Sequence, residues 1–260
     1  MSEIFLHLIN SSITAGWLIC AVVLLRLLLK KAPKWIICIL WAMVGLRLLL
    51  PFSIESKVSL VPSTQTIPES SILSTAPVID SGIPVVDETF NPVISQSLAP
   101  NPGDSVNPLQ IYLAIGTAVW ILGLSAMLLY SFFSWLWVYR RVHPRLRLRE
   151  NIFLCDHIDT PFILGILRPG IYIPSGLPAE HLEPIIAHEK AHLKRLDHLW
   201  KPLGFLLLAV YWFNPLVWLA YILLCRDIET ACDEKVIRNL ENSVPLGIFP
   251  AACPDYFCRR

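Results

Sequence analysis

The sequence predicts a mainly α-helical, multi-pass membrane protein that contains a small β-hairpin. Of its 260 residues, 55% are hydrophobic and only 16% are charged, and the mean hydropathy is +0.57. This is the composition of a membrane protein. The net charge of +1 gives no reason to expect nucleic-acid binding. The seven cysteines are odd in number and form no CxxC pair, so we expect no disulfide framework.

Two apolar runs, residues 4–29 and 35–52, predict two transmembrane helices within residues 1–53. Lys30, Lys31 and Lys34 separate the two runs, together with the helix breaker Pro33. Arg47 interrupts the second run near one end. Its side chain could reach the membrane surface or pair with a polar group, and we favour the surface.

The next segment, residues 54–108, is rich in Pro, Ser and Thr and predicts an irregular extracytoplasmic loop. A third transmembrane helix is predicted over residues 109–139, which end in the interfacial aromatic residues Trp135, Trp137 and Tyr139. Five arginines follow between residues 140 and 149. Because basic flanks face the cytoplasm, we expect the amino terminus to be extracytoplasmic and the peptidase site after the third helix to be cytoplasmic.

Residues 150–180 are the stretch most like a soluble domain. Ile152–Cys155 and Ile171–Ile173 predict short strands, and Pro161 to Ile173 predicts a hairpin that turns at Arg168-Pro169-Gly170. Ile171 and Ile173 could pair with a peptide substrate at a strand edge, or the hairpin could be purely structural. The sequence leaves both open.

The candidate chemistry begins at His188-Glu189-Lys190-Ala191-His192. Residues four apart lie on one face of a helix, so His188 and His192 can point two imidazoles at one metal ion, while Glu189 can take a proton from a bound water. A catalytic zinc site needs a third protein ligand, for which Glu229 is the best candidate. Asp233, one helical turn later, is placed to hydrogen-bond a metal ligand.

Residues 202–225 are long and apolar enough to cross a bilayer. A single crossing would place Glu229 about 30 Å from the two histidines, too far for one metal ion. Asn214-Pro215 lies in the middle of this run, and proline breaks helices. We therefore predict a re-entrant or interfacial helical hairpin that returns Glu229 to the cytoplasmic side. The alternative is a fourth span and no metal site.

Taken together, these blocks resemble the integral-membrane zinc metallopeptidases of the BlaR/MecR type. The resemblance extends to about residue 236. The matching blocks are Pro161–Leu177, His188–Asp197, Trp212–Pro215 and Asp227–Asp233, with Arg26, Arg47 and Pro51 in the first two helices.

The resemblance implies a helical, gluzincin-like zinc peptidase domain over residues 140–239. In that domain His188, His192 and Glu229 would bind Zn²⁺, Glu189 would be the catalytic general base, and the oxyanion donor is unknown. The implied function is regulatory proteolysis of a cytoplasmic protein, such as a transcriptional repressor, by an enzyme of the cell membrane. The expected partners are that protein substrate and the lipid bilayer, with no nucleic acid, and a homodimer is compatible with the chain.

Two departures from the family leave alternatives open. The chain ends at Arg260, without room for a penicillin-binding sensor, so we expect no direct β-lactam sensing. Residues 240–260 do not resemble the family, which suggests a truncated or frame-shifted end. The alternatives are a quality-control zinc peptidase for membrane proteins and a non-catalytic membrane signalling or scaffold protein.

Overall fold

A computed structural model describes residues 2–29, 33–50, 87–89, 91–92, 108–143 and 145–243. The described helices longer than ten residues are α1 (Ser2–Leu28), α2 (Lys34–Leu49), α3 (Pro108–Arg141), α4 (Ala179–Lys194), α5 (Asp197–Val210) and α6 (Pro215–Ser243). The strands are β1 (Leu146–Arg149), β2 (Ile152–Cys155), β3 (Phe162–Leu164) and β4 (Gly170–Pro174). In the predicted loop over 54–108, residues 87–89 and 91–92 are helical. Most of that loop, and the tail from residue 244, lie outside the described residues.

The chain divides into two compact units. The first contains Met1–Arg141 and Trp200–Cys225, and the second contains Val142–Leu199 and Arg226–Arg260. Residues 202–225, the hairpin that the sequence predicts within the peptidase domain, therefore belong to the first unit.

The first unit is a set of apolar helices around one core. Side chains from α1, α2 and the hairpin bury one another, among them Ile19, Trp41 and Leu208. At two helix ends, a backbone carbonyl accepts a hydrogen bond from an aromatic side chain of another helix or of the hairpin turn. Trp120 donates its indole N–H to Val210 O at 2.9 Å, and the Tyr211 hydroxyl donates to Leu48 O at 3.0 Å. Such bonds are valuable in an apolar surrounding, where an unpaired polar group is costly.

Arg47 corrects one expectation. Its Nη2 donates a hydrogen bond to Thr14 Oγ1 on α1 at 3.1 Å, and its Nη1 lies 3.4 Å from Leu50 O. The side chain therefore pairs with a polar group of the neighbouring helix and does not simply extend to a surface. The reason is local: Thr14 is buried, and its hydroxyl is itself bonded to the α1 backbone, so it offers a fixed acceptor.

Two of the helices are long and apolar enough to cross a membrane, as judged by length and composition: Glu3–Leu28, near the amino terminus, and Gln110–Arg141. The segment predicted as the second span is α2, which has 16 residues. At 1.5 Å per residue it is about 24 Å long, which is short for a hydrocarbon core of about 30 Å. Among the described residues, helix length therefore supports two of the three predicted transmembrane helices, α1 and α3.

The apolar run 202–225 is broken in the middle. Helix α5 ends at Val210, residues 211–213 form a turn, and α6 begins at Pro215. Asn214 caps α6, because its Oδ1 accepts the N–H of Leu216 at 2.8 Å. Pro215 stands at the first helical position, where its missing N–H costs nothing. Whether this hairpin is re-entrant in a bilayer stays a prediction.

The second unit is built on a four-stranded sheet in the order β1-β2-β4-β3. Strands β3 and β4 form the predicted antiparallel hairpin, with β4 starting at Gly170. In the connecting loop Gly165 has a φ of +109°, and a Cβ there would lie 2.8 Å from Arg168 O, so the turn requires glycine. Strand β2 pairs with β4 in parallel and with β1 in antiparallel fashion.

The sheet is larger than the single hairpin that the sequence predicts, and β4 is its centre. Ile171 and Ile173 are fully buried, and β4 lies between the paired strands β2 and β3. The expectation that they could form a substrate-pairing edge is therefore wrong. Within the described residues, the edges of this sheet are β1 and β3. On the opposite face of β4, the ring of Tyr172 stacks between those of Phe153 and Phe162 at 5.3 and 5.8 Å.

Candidate metal centre

Helix α4 carries the two histidines and is held to the sheet by one apolar stripe. Ile186 is buried against Ile152, Ile171 and Ile173 of the sheet, with Leu182 and Leu193 packed around them. Leu182, Ile186 and Leu193 repeat at helical spacing, so they form one apolar face that packs on the sheet. This packing also fixes the position of the two histidines on α4. Glu189 is 8% exposed and His192 is 6% exposed. Both therefore lie in a largely dehydrated setting.

The Nε2 atoms of His188 and His192 lie 3.1 Å apart. Glu229, on α6, brings its Oε2 to 3.5 Å from His192 Nε2. Two lone-pair nitrogens repel each other at this separation unless a proton or metal ion lies between them. Nitrogens that share one tetrahedral zinc ion at about 2.0–2.1 Å lie about 3.3 Å apart, which is close to the observed spacing. The donor set therefore fits a zinc ion.

The Nδ1 atoms of the same two rings face other acceptors. His192 Nδ1 lies 2.8 Å from Asp197 Oδ2, and both side chains are buried. His188 Nδ1 lies 3.6 Å from Asp233 Oδ1, and the Asp233 side chain is 39% exposed. The structure thus brings Asp233 to His188, and it adds Asp197, a partner that the sequence analysis did not assign.

Cys232 is a second residue that the sequence analysis missed. His188, His192 and Cys232 form a group whose ligand atoms all lie within 4.8 Å of one another. Cys232 Sγ lies 3.7 Å from His188 O and 4.0 Å from His188 Nδ1, and the residue is fully buried. The signal was available in the sequence, since Cys232 follows Glu229 by three residues on the same helix face. It was overlooked because a buried cysteine usually acts as a small apolar side chain.

The surroundings of His192 favour positive charge. Burial alone lowers the pKa of His192, but hydrogen bonds with Asp197, Cys232 and Glu229 raise it to about 11. For Asp233, burial raises the pKa, the nearby His188 lowers it and Glu229 raises it. The carboxylates that stabilise positive charge on His192 would also stabilise a divalent cation beside it.

Each predicted site residue can now be placed. His188, His192 and Glu229 lie together, Asp233 lies beside His188, and Glu189 is buried on the same helix as the histidines. All belong to the second unit. The oxyanion donor stays unassigned.

Helix α4 with its His-Glu-x-x-His sequence, packed on a small sheet, points first to a class of protein, the metal-dependent peptidases. The family model described as BlaR1 peptidase M56 matches residues 6–245. The chain belongs to this family.

The chain is also similar to named regulatory proteins. It is 30% identical over 152 residues to the regulatory protein BlaR1 of Bacillus licheniformis, which covers 50% of this chain and 25% of that protein. It is 28% identical over 94 residues to the methicillin resistance mecR1 proteins of Staphylococcus aureus and Staphylococcus epidermidis, which covers 35% of this chain and 16% of each of them. The matches therefore span a quarter or less of these relatives' lengths.

Proposed function

We propose that the protein is a zinc-dependent endopeptidase of the cell membrane that cleaves a regulatory protein on the cytoplasmic side. One observation carries the proposal: His192 Nε2 lies 3.1 Å from His188 Nε2 and 3.5 Å from Glu229 Oε2. These distances support a zinc site with three protein ligands and one open position. Membership of the BlaR1 peptidase M56 family supports it.

When bound by His188, His192 and Glu229, zinc would polarise the scissile carbonyl and increase the acidity of a water at the site. Glu189 would be the general base, taking a proton from that water and passing it to the leaving amine. Its position supports this role, because Glu189 is buried on the helix that carries both histidines. Asp233 would keep His188 oriented from the Nδ1 side.

The proposed substrate is a protein, and a transcriptional repressor is the substrate class that fits a regulatory pathway. Support comes from the similarity to the regulatory protein BlaR1. The proposed location is the cell membrane, crossed by α1, α2 and α3, with the amino terminus outside. The exposed apolar side chains of α3, such as Leu122, Tyr130 and Phe133, support a lipid contact for this helix.

Glu189→Gln tests the enzyme. We expect this variant to bind about one zinc per chain, like the unchanged protein, and to lose about 10²–10⁴-fold in the rate of protein cleavage, because the general base is gone and the ligands are intact. Zinc content of detergent-purified protein and cleavage of a candidate repressor in reconstituted membranes are the two measurements. Lys190→Gln is the matched control, since Lys190 is exposed and adjacent on the same helix.

If Glu189→Gln cleaves as fast as the unchanged protein, the enzyme proposal is wrong. If the unchanged protein binds no zinc while folded, the chain is a non-catalytic membrane protein. Cleavage of many unrelated damaged proteins, with no preference for a repressor, would indicate a quality-control peptidase in place of a regulatory one.

A further inference from the structure

We infer that Asp197 is a positioning residue, which holds His192 in the one orientation and tautomer that leaves Nε2 free for the metal. This inference rests on the proposed zinc site and deepens it. His192 Nδ1 and Asp197 Oδ2 are 2.8 Å apart, with side-chain exposures of 8% and 4%. A carboxylate can only accept, so the hydrogen bond puts the proton of the neutral ring on Nδ1. The lone pair then remains on Nε2, the atom nearest to His188 and Glu229.

The two histidines are not held equally. The corresponding contact of His188, with Asp233, is 3.6 Å long and involves a side chain that is 39% exposed. A contact of that length is not a good hydrogen bond, and water can compete for it. Of the two carboxylate contacts, the one between Asp197 and His192 is therefore the shorter and the more buried.

Asp197 reaches His192 only because the chain leaves the helix between them. In an uninterrupted helix, residues five apart are rotated by about 140° around the axis and cannot share a face. Here α4 ends at Lys194, and Leu196 adopts a φ of +61°. The left-handed conformation is unfavourable for leucine, and glycine is the usual residue at this position after a helix. Backbone strain of this kind tends to occur where the structure needs a particular side-chain placement.

A second group pairs with the Asp197 carboxylate. Arg195 Nε lies 3.3 Å from the same Oδ2 atom that accepts from His192. A buried carboxylate is costly unless it is paired, and a guanidinium is positively charged at any physiological pH. Arg195, Leu196 and Asp197 thus form one short turn in which the backbone directs the carboxylate toward His192 and the guanidinium pairs with it.

The test compares zinc affinity in full-length, detergent-purified Asp197→Ala, Asp197→Asn and Asp233→Asn, by competition with a chromophoric chelator. Loss of a hydrogen-bond partner of a metal-bound histidine typically weakens metal binding about 10–100-fold. We expect a loss in that range for Asp197→Ala. Asp197→Asn should lose less, because its amide oxygen still accepts from Nδ1, and Asp233→Asn should lose least.

Cobalt substitution supplies a readout that a purely structural role would not move. The visible absorption of Co²⁺ depends on ligand geometry, so Asp197→Ala should change its band positions and intensities, whereas Lys190→Gln, at an exposed residue of α4, should leave them unchanged. If the folded Asp197 variants keep both the zinc affinity and the cobalt spectrum of the unchanged protein, the inference is wrong. If the unchanged protein itself binds no zinc, the proposed function fails first, so the two failures are distinct.

A measurement on the unchanged protein covers the case in which the Asp197 variants do not fold. In zinc-loaded protein labelled with ¹⁵N-histidine, we expect one metal-bound histidine to ligate through Nε2 and to carry an Nδ1 proton shifted strongly downfield by a carboxylate acceptor. The absence of such a proton would overturn the inference.

Discussion

At the scale of single residues, the choice of the third metal ligand is the most consequential question. Glu229 and Cys232 are both close to the histidines, but they approach them differently. Glu229 faces Nε2 of His192, whereas Cys232 lies 4.0 Å from Nδ1 of His188 and 3.7 Å from its carbonyl oxygen. Cys232 also hydrogen-bonds His192 and belongs to the same group of ligand atoms as both histidines. We propose Glu229 as the third ligand because its carboxylate faces Nε2 of His192, the atom nearest to the other histidine.

We therefore expect Glu229→Ala to lose most of its bound zinc, because only two ligands remain. Cys232→Ala should keep about one zinc per chain and lose some stability, since a fully buried side chain is shortened. Metal analysis of the two purified variants, side by side, is the measurement. The opposite pattern, with zinc lost from Cys232→Ala and kept by Glu229→Ala, would make the cysteine the third ligand.

The sequence predicted residues such as His188, His192 and Glu229 because their spacing has a direct geometric meaning on a helix. Asp197 could not be assigned a role in the same way. It lies five residues after His192, a separation that helical periodicity places on another face, and only the left-handed Leu196 brings it back. Arg47 was misjudged because its partner Thr14 is 33 residues earlier, on a different helix. Such a non-local contact is not visible in a local pattern.

At the scale of elements, the apolar helices were predictable to within a few residues, because long apolar runs are the strongest local signal. The sheet was predicted only in part, since β2 and the β3–β4 hairpin were expected and β1 was not. Strand β1 alternates leucine and arginine, but over only four residues, all exposed, within the basic segment that follows α3. The parallel pairing of β2 with β4 joins residues that are about twenty apart, and only the folded chain reveals it.

Helix α6 begins at a cap that can be tested. Asn214 Oδ1 accepts the N–H of Leu216 at 2.8 Å, and its Nδ2 donates to Ser12 on α1. We expect Asn214→Ala to lower the free energy of unfolding by about 1 kcal/mol or more, because an N-cap and an inter-helix hydrogen bond are both lost. Thermal unfolding in detergent measures the change.

Asn214→Asp is the matched comparison for that prediction. Its carboxylate still caps the helix but cannot donate to Ser12, so its stability should lie between those of the alanine variant and the unchanged protein. Equal stability of all three proteins would show that this cap contributes nothing.

At the scale of the whole molecule, the number of membrane crossings before residue 142 determines on which side of the membrane the candidate metal site lies. Three crossings before residue 142 put the amino terminus and the second unit on opposite sides of the membrane, whereas two crossings put them on the same side. Helices α1 and α3 are long enough to cross, and the 16-residue α2 decides the outcome. A local thinning of the bilayer would let it cross at modest cost.

An epitope-tag experiment decides between these topologies. One tag precedes Ser2, and the other follows Leu167, which is 95% exposed in the loop between β3 and β4. We expect protease added to intact protoplasts to remove the first tag and to leave the second tag intact until the membrane is permeabilised. Protection of both tags would mean that α2 does not cross, and removal of only the second would reverse the proposed orientation.

The second unit is assembled from two separate stretches of chain, and this has a consequence for genetics. Both histidines precede residues 200–225, whereas Glu229 and Asp233 follow them. A fragment that ends before or within the hairpin therefore lacks Glu229, the third proposed metal ligand. A premature stop codon within the hairpin would yield a polypeptide that keeps its apolar helices and both imidazoles but lacks the third ligand. Among nested deletions from the 3′ end of the gene, metal retention would therefore disappear in one step near codon 229 and would not decline gradually.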